Sequence, residues 1–244
     1  MRSTMLLLAL LTAAPLATVH AAPADVANAV AAKDRPAEAV AMDASRRPTE
    51  VLGFLELERG DRALDLLTGT GYYAEIMGQA VGPEGSVIAA QPSLYFPDEM
   101  KKAWETLPGR VPNVTLSLYE GPKLDLEPDS LDFVMIHLNY HDFYGFGPAA
   151  PTVPAELYEA VKPGGVVGVV DHVGAAGADP KEAGSKLHRI DPALVRSDFE
   201  KAGFRFDGES EALRNPADDH SLTVFDPKVQ GQTDRFVYRF RKPE

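Results

Sequence analysis

The sequence contains no cysteine, has fewer basic than acidic residues, and lacks a long apolar run. Without cysteine the chain cannot form disulfides or use thiolate chemistry, and no lipid can be attached at an N-terminal cysteine. There are 24 Lys and Arg residues against 36 Asp and Glu, which gives a formal net charge of -12 at pH 7 with no basic cluster. A nucleic-acid partner and a polybasic membrane contact are therefore excluded.

The composition is otherwise typical of a globular protein, with 45% hydrophobic and 25% charged residues. A chain of 244 residues can enclose one good-sized hydrophobic core. We expect a leader over residues 1–22, an N-terminal helical extension over 23–58 and one main domain over 59–244.

The leader has the order of a secretory signal peptide. Arg2 precedes an apolar run from Met5 to Leu11, which is well short of the ~20 residues that span a bilayer. Small residues follow, and cleavage after Ala21 or Ala22 would meet the requirement of such a site. We therefore expect a periplasmic or secreted protein, with no stable membrane insertion once the leader is removed.

Beyond the leader, the pattern of the chain changes near Gly60. The extension is predicted to form helices interrupted at Pro36 and Pro48. After Gly60, short β-rich runs alternate with helical ones, and Leu131–Ile136 and Val166–Val170 are as continuously apolar as buried parallel strands. The predicted strands cover 62–66, 87–90, 114–118, 131–136, 166–170, 204–209 and 236–240, and the predicted helices cover 72–81, 98–107, 154–161 and 192–202. This alternation predicts an α/β domain with a doubly wound sheet and helices on both faces.

The stretch DLLTGTGYY, residues 65–73, lies between the first predicted strand and its helix. In doubly wound sheets, ligands bind outside the carboxyl ends of the strands. Gly69 and Gly71 would let the backbone approach a ligand closely, and the free N–H groups of the helix N-terminus lie at the same place. Two glycines alone are equally typical of a tight turn, so the rest of the sequence is needed to distinguish a ligand-binding loop from a turn.

Three further features follow in order along the chain. Glu120 comes after the third strand, SLD at 130–132 opens the fourth, and VKPGG at 161–165 makes a turn before the fifth. With Asp65 near the end of the first strand, this series resembles the class I S-adenosylmethionine (SAM)-dependent methyltransferases from about residue 63 to residue 240. The leader makes the chain similar to a bacterial subgroup of exported predicted methyltransferases.

The resemblance implies a Rossmann-like sheet that is mostly parallel with an antiparallel last strand. It also implies SAM as the cofactor and a small molecule as the methyl acceptor. The cofactor contacts that it implies are Asp65, Thr68, Gly69, Thr70, Gly71, Gln91 and Glu120.

Two positions depart from the pattern of that family. Leu67 stands where the first loop glycine is usual, so we expect its side chain to crowd the methionine end of the cofactor. Gln91 stands where an acidic residue usually holds both ribose hydroxyls. A neutral hydrogen bond there replaces a charge-assisted one, which costs ~1 kcal/mol of binding free energy. Both departures predict weaker SAM binding.

The segment HLNYHDFYGFG, residues 137–147, follows the fourth strand and is predicted to be a loop. In the similar family this segment lines the acceptor pocket, and the pocket residues predicted here are Tyr140, Phe143, Tyr144, Phe146 and His188. Packing of any one ring over the hydrophobic core is an equal alternative. His137, His141 and His172 are predicted to surround the acceptor, where one neutral imidazole would act as general base.

Three functions fit these observations. The preferred one is SAM-dependent methyl transfer to a small molecule, for which the protein chiefly aligns donor and acceptor. The second is a repurposed, non-catalytic member of the fold that binds another small ligand, favoured by Leu67, Gln91 and the leader. The third is a metal-assisted enzyme that uses the His and Asp residues. Their spacing is not diagnostic of a metal site, so no metal is expected.

Overall fold

The computed structural model describes residues 22–121, 123–147 and 152–244, and the predicted leader, apart from Ala22, lies outside them. The elements in chain order are α1 (Val26–Val30), α2 (Ala37–Ala41), α3 (Asp43–Arg46), α4 (Pro48–Phe54), β1 (Arg62–Leu66), α5 (Tyr72–Val81), β2 (Ser86–Pro92), α6 (Asp98–Arg110), β3 (Val114–Tyr119), β4 (Leu131–His137), α7 (Tyr140–Gly145), α8 (Val153–Ala160), β5 (Val161–His172), α9 (Pro180–Glu182), a π-helix (Ala183–Leu187), α10 (Pro192–Ala202), β6 (Arg205–Ser210) and β7 (Arg235–Arg241). No helix within these residues combines the length and the apolar character that crossing a bilayer demands.

The centre of the fold is a seven-stranded sheet in the order β3-β2-β1-β4-β5-β7-β6. The strands from β3 across to β5 pair in parallel, and β7 is antiparallel to both β5 and β6. The predicted Rossmann-like sheet, mostly parallel with an antiparallel last strand, is confirmed. The strand order reverses between β1 and β4, which is the position where such sheets bind ligands.

The register of the central strands sets the position of the site. Leu66 at the end of β1 is level with Ala90 of β2 and Ile136 of β4. Because these strands are parallel, the residues that follow them meet at one edge of the sheet. The glycine loop after β1 therefore lies beside Gln91 and His137.

The N-terminal extension is part of the hydrophobic core. Val51, Leu52 and Leu55 are fully buried in the same apolar cluster as α5 and one face of the sheet. Gly168 of β5 is required at this contact, because a Cβ there would lie 2.4 Å from Leu55 Cδ1. The opposite face is covered by α8 and α10, where the Phe199 ring stacks on the sheet. Both faces are thus closed, as the sequence predicts.

Two local predictions are wrong. The segment 137–147 is not a loop throughout, because residues 140–145 form α7. This short helix is supported by close packing of Gly145 on Gly184, which are far apart in the sequence. The VKPGG segment is not a separate turn before the fifth strand, since β5 begins at Val161 and includes it, with a shift in register against β4.

Candidate active site

A cleft with a volume of about 1210 Å³ lies at the carboxyl ends of the central strands. Its walls come from the glycine loop after β1, the residues that follow β2 and β3, and α7. The predicted cofactor residues that line it are Asp65, Thr68, Gly69, Thr70, Gln91 and Glu120. Gly71 is not among the lining residues, whereas the next two residues, Tyr72 and Tyr73, are.

Asp65 ties the glycine loop to the helix that follows it. Its Oδ2 accepts hydrogen bonds from Thr68 Oγ1 at 2.6 Å and from the Ala74 N–H at 3.0 Å. Burial raises the pKa of Asp65 to about 6, although both hydrogen bonds and the charge of Arg46 act in the opposite direction. Asp65 therefore shapes the loop, and a large part of its hydrogen-bonding capacity is used inside the protein.

The loop turns by placing alternate residues in the left-handed region of backbone space. The φ angles are 57° at Leu67, 58° at Gly69 and 86° at Gly71. A Cβ at Gly71 would lie 2.5 Å from Leu107 Cδ1, whereas at Gly69 the nearest atom would be 4.0 Å away. Leu67 adopts the same left-handed backbone conformation as the two glycines, which costs a non-glycine residue ~1–2 kcal/mol of stability. Leu67 thus replaces the usual glycine at a position whose backbone conformation favours glycine.

Leu67 narrows the cleft without closing it. Its half-buried side chain lines the cleft together with Gly69, and a single continuous space passes both residues. The Leu67 carbonyl accepts a 2.6 Å hydrogen bond from Asn139 Nδ2, which connects the loop to the segment after β4. That bond helps to hold the left-handed conformation of a leucine.

Gln91 braces the glycine loop from β2. Its Oε1 accepts a 3.1 Å hydrogen bond from the Gly69 N–H, and its Nε2 donates to the Tyr95 carbonyl at 2.7 Å. The side chain is only 4% exposed, so most of its amide faces protein. Glu120, which follows β3, is exposed on the cleft wall. These two predicted cofactor residues therefore differ, because Gln91 is already hydrogen-bonded and Glu120 is exposed.

His137 ends β4 and lines the cleft. Its ring packs against Tyr73 with centroids 4.6 Å apart, and both His137 Nε2 and the Tyr73 hydroxyl are buried without a hydrogen-bond partner among the described residues. Burial, reinforced by the charges of Arg46 and Arg235, lowers the pKa of His137 well below its usual value. His137 is therefore neutral, and its buried Nε2 has no hydrogen-bond partner among the described residues.

The other predicted histidines are not among the residues that line the cleft. His172 Nδ1 is 2.7 Å from Thr233 Oγ1, and burial lowers the pKa of His172 to about 3. The His141 side chain, on α7, contacts Asp171, and its Nε2 is 3.2 Å from His188 Nδ1. Of the three predicted catalytic histidines, only His137 reaches the space where a ligand would sit.

The aromatic residues of α7 divide into two groups. Phe143 and Phe146 line the cleft, as predicted for acceptor-pocket residues. Tyr140 is fully buried, and the hydroxyls of Tyr140 and Tyr144 donate to Asp198 Oδ2 at 3.0 and 2.6 Å. These two tyrosines fix α7 to α10, so their role in the fold is to position the cleft wall.

The family model for protein-L-isoaspartate(D-aspartate) O-methyltransferase matches residues 32–121. A protein-L-isoaspartate O-methyltransferase of Ignicoccus hospitalis is 32% identical over 113 residues, which are 46% of this chain and 47% of that protein. A demethylmenaquinone methyltransferase of Geobacillus kaustophilus is 33% identical over 123 residues, 48% of this chain and 47% of that protein. The chain spans about half the length of the curated relatives that it matches.

The likeness between whole structures is more extensive. A SAM-dependent methyltransferase from Aquifex aeolicus superposes with a TM-score of 0.58 at 22% identity, covering 85% of this chain and 98% of that one. The chain has the fold of the SAM-dependent methyltransferases. Within this methyltransferase fold, the region matched by the family model ends just past Glu120. It contains the glycine loop, Gln91 and Glu120 and stops before His137 and α7.

Arg46 was missed by sequence reasoning. It ends α3 in the extension, lines the cleft of the methyltransferase fold, and lies over the Tyr72 ring at 4.3 Å from the centroid. Among the described residues its guanidinium donates no hydrogen bond, and burial lowers its pKa. Nothing in the local sequence marks this position, because it reaches the cleft only through packing of the extension on α5. Arg46 is a cation available to an anionic ligand group.

Proposed function

We propose that the protein is an enzyme that transfers the methyl group of SAM to a small-molecule acceptor. The observation that carries this proposal is the shared cleft of about 1210 Å³, with the glycine loop, Gln91 and Glu120 on one side and His137 on the other. Ligand pockets usually enclose ~300–1,000 Å³. The cleft therefore has room for donor and acceptor together, which methyl transfer between two molecules requires.

The residues on the cofactor side fit SAM. Space around Gly69 allows close approach to the backbone, and the N-terminus of α5 begins just beyond the loop. Glu120 offers an accessible carboxylate for ribose hydroxyls, and Arg46 offers a cation for the carboxylate of the methionine part. When bound there, SAM would supply an electrophilic methyl group. These assignments rest on the chemistry of the side chains that line the cleft.

His137 is our candidate for the general base on the acceptor side. It is neutral, its buried Nε2 has no partner among the described residues, and Phe143 and Phe146 line the same cleft. A neutral imidazole can accept the proton of a hydroxyl or an acidic carbon as the acceptor atom bonds to the methyl carbon. The aromatic wall favours an acceptor with an apolar body.

Binding of the cofactor is tested by thermal unfolding with SAM and with its demethylated product, S-adenosylhomocysteine. A ligand at 100 times its Kd stabilises the folded state by ~2.7 kcal/mol, which corresponds to several degrees in Tm for a chain of this size. We expect Glu120→Gln to reduce the shift and Glu105→Gln, an exposed residue outside the cleft, to leave it unchanged. Absence of a shift with either ligand at millimolar concentration would refute SAM binding.

The role of His137 is tested with a panel of small hydroxyl and carbon acids, by measuring S-adenosylhomocysteine released from SAM. For an accepted substrate, His137→Gln should lower kcat by ~10²–10⁴-fold, the usual contribution of general base catalysis. It should leave the thermal shift by SAM in place. His220→Gln, which lies outside the cleft and contacts Asp234, is the matched control. An unchanged kcat in His137→Gln would remove the residue from the chemistry.

A second candidate is a non-catalytic protein of the same fold that binds another small ligand. The observations that favour it are Leu67, which narrows the cleft, and Gln91, whose amide is already hydrogen-bonded. A protein that lacks a thermal shift with SAM but co-purifies with a different small molecule would support this candidate. Mass spectrometry of the denatured, purified protein would identify such a ligand.

We further propose that the protein is exported and acts in the periplasm. The support is the order of charge, apolar run and small residues in the leader. Cell fractionation of the natural host and N-terminal sequencing should find a mature chain that begins at Ala22 or Pro23. A chain that keeps Met1 in the cytoplasm would contradict the proposal.

A further inference from the structure

Three side chains converge beside the cleft, outside the set used above. His141 Nε2 lies 3.2 Å from His188 Nδ1 and 3.2 Å from Asp142 Oδ1, and His188 Nδ1 lies 3.8 Å from Asp142 Oδ1. Three atoms that each bind one metal ion at ~2.0–2.2 Å in tetrahedral geometry stand ~3.4 Å apart. We infer that His141, Asp142 and His188 bind a single divalent transition-metal ion.

A buried carboxylate orients the first of these ligands. Asp171 is 0% exposed. Its Oδ1 lies 2.8 Å from His141 Nδ1, and its Oδ2 accepts a 2.9 Å hydrogen bond from the His141 backbone N–H. In neutral His141 with Nδ1–H bound to Asp171, the lone pair is on Nε2, which faces Asp142 and His188, so a metal there would replace a proton. A carboxylate behind a histidine ligand is the usual second partner in protein metal sites. Asp171 thus holds the His141 ring in the orientation that metal binding through Nε2 requires.

The backbone around His188 is specialised in two ways. His188 has a left-handed φ of 55° and follows the π-helix Ala183–Leu187. Gly184 of the π-helix contacts α7 so closely that a Cβ there would lie 2.6 Å from the His141 carbonyl oxygen. π-Helical turns and left-handed non-glycine residues are concentrated at functional sites. Together these features bring the His188 ring to His141.

The charge of the cluster favours a cation. Asp142 lies against both imidazoles and Asp171 lies against that of His141, and within the described parts of the chain neither carboxylate forms an ion pair with Lys or Arg. A divalent ion would balance these two negative charges. In its absence, a proton shared by His141 and His188 would account for their 3.2 Å contact. The metal and the shared proton are the two alternatives that an experiment must separate.

The site is connected to the cleft through one of its ligands. Asp142 lines the cleft, and its side chain is 38% exposed. Three protein ligands leave at least one coordination position open, as in catalytic rather than structural zinc sites. That position would take water or an oxygen, nitrogen or sulfur atom of the molecule in the cleft. Two imidazoles and a carboxylate suit zinc, iron or manganese, so Zn²⁺ is an appropriate probe.

The test is titration of the chelator-treated full chain with ZnCl₂ by isothermal calorimetry, with no SAM present. We expect one Zn²⁺ per chain, and at least tenfold weaker binding for His188→Asn and for Asp142→Asn. His220→Asn is the matched control, because His220 pairs with Asp234 outside the cluster, and it should bind like the unmodified chain. Asp171→Asn should weaken binding by ~10–100-fold without removing a ligand.

Two results would overturn the inference: no Zn²⁺ binding by the unmodified chain, or equal binding by His188→Asn and Asp142→Asn. If His188→Asn fails to fold, Asp142→Asn still decides, because its side chain is partly exposed. Circular dichroism establishes folding of each variant before titration. Since the measurement uses neither SAM nor acceptor, its outcome is independent of whether the protein is a methyltransferase.

Discussion

Replacement of Leu67 by glycine should tighten SAM binding with little change in stability. Leu67 has a φ of 57°, and relief of this left-handed conformation is worth ~1–2 kcal/mol. The greater freedom of glycine in the unfolded chain costs ~0.5–1 kcal/mol, and loss of the half-buried side chain costs ~1 kcal/mol. These contributions nearly cancel in the free energy of unfolding. In the cleft, removal of the side chain should lower the Kd for SAM several-fold, or ~1 kcal/mol.

Leu67→Ala is the control that separates the side chain from the backbone. Alanine opens nearly the same space but keeps the left-handed strain, so it should bind SAM as well as Leu67→Gly and be less stable by ~1 kcal/mol. Calorimetric titration measures the Kd of SAM and of S-adenosylhomocysteine, and thermal unfolding measures stability. An unchanged or higher Kd in both variants would refute the reasoning that Leu67 crowds the cofactor.

Two further predictions concern stability. Gly71→Ala should lower Tm by several degrees, because it forces alanine into a left-handed conformation and puts a Cβ 2.5 Å from Leu107 Cδ1. The two effects together should lower the free energy of unfolding by ~2–4 kcal/mol. Gly69→Ala has a φ of 58° but open space around its Cβ, so it should lower the free energy of unfolding by only ~1 kcal/mol. Burial raises the pKa of Asp61 to about 6 while its Oδ2 accepts from the Glu58 N–H, so its ionised form is disfavoured in the folded state. The folded state therefore loses stability as pH rises from about 4 to about 6, and Asp61→Asn should have a higher Tm than the unmodified chain at pH 7.5 but not at pH 3.5. A gain from Asp61→Asn that is the same at both pH values would contradict this assignment.

The sheet and its order could be predicted because its strands carry their own signal. β1 and α5 have the predicted bounds, 62–66 and 72–81, since a buried strand, a glycine turn and an apolar helix follow one another there. α7 could not be predicted in the same way. Its six residues are held by contacts with the π-helix and with Asp198, which are distant in sequence. A short helix of this kind depends on tertiary packing rather than on propensity.

The candidate site was predicted in part for a similar reason. Residues at the carboxyl ends of strands, such as Gln91 and His137, are placed by the topology, so their position beside the glycine loop can be predicted. The orientation of side chains was not, because Gln91 faces the loop and His141 faces Asp171. Arg46 belongs to a segment without a motif and reaches the cleft only after the extension has packed.

The contact between Leu55 and Gly168 also bears on how the chain is made. A ribosome releases the extension early, and α5, on which it packs, follows soon after, but the Gly168 surface that receives Leu55 exists only once the fifth strand has been synthesised. Until then part of the apolar surface of the extension is exposed and available to chaperones. Any genetic fusion or truncation that separates the extension from the sheet should yield insoluble protein. The packing of the first helices of this chain is thus completed only when the fifth strand is in place.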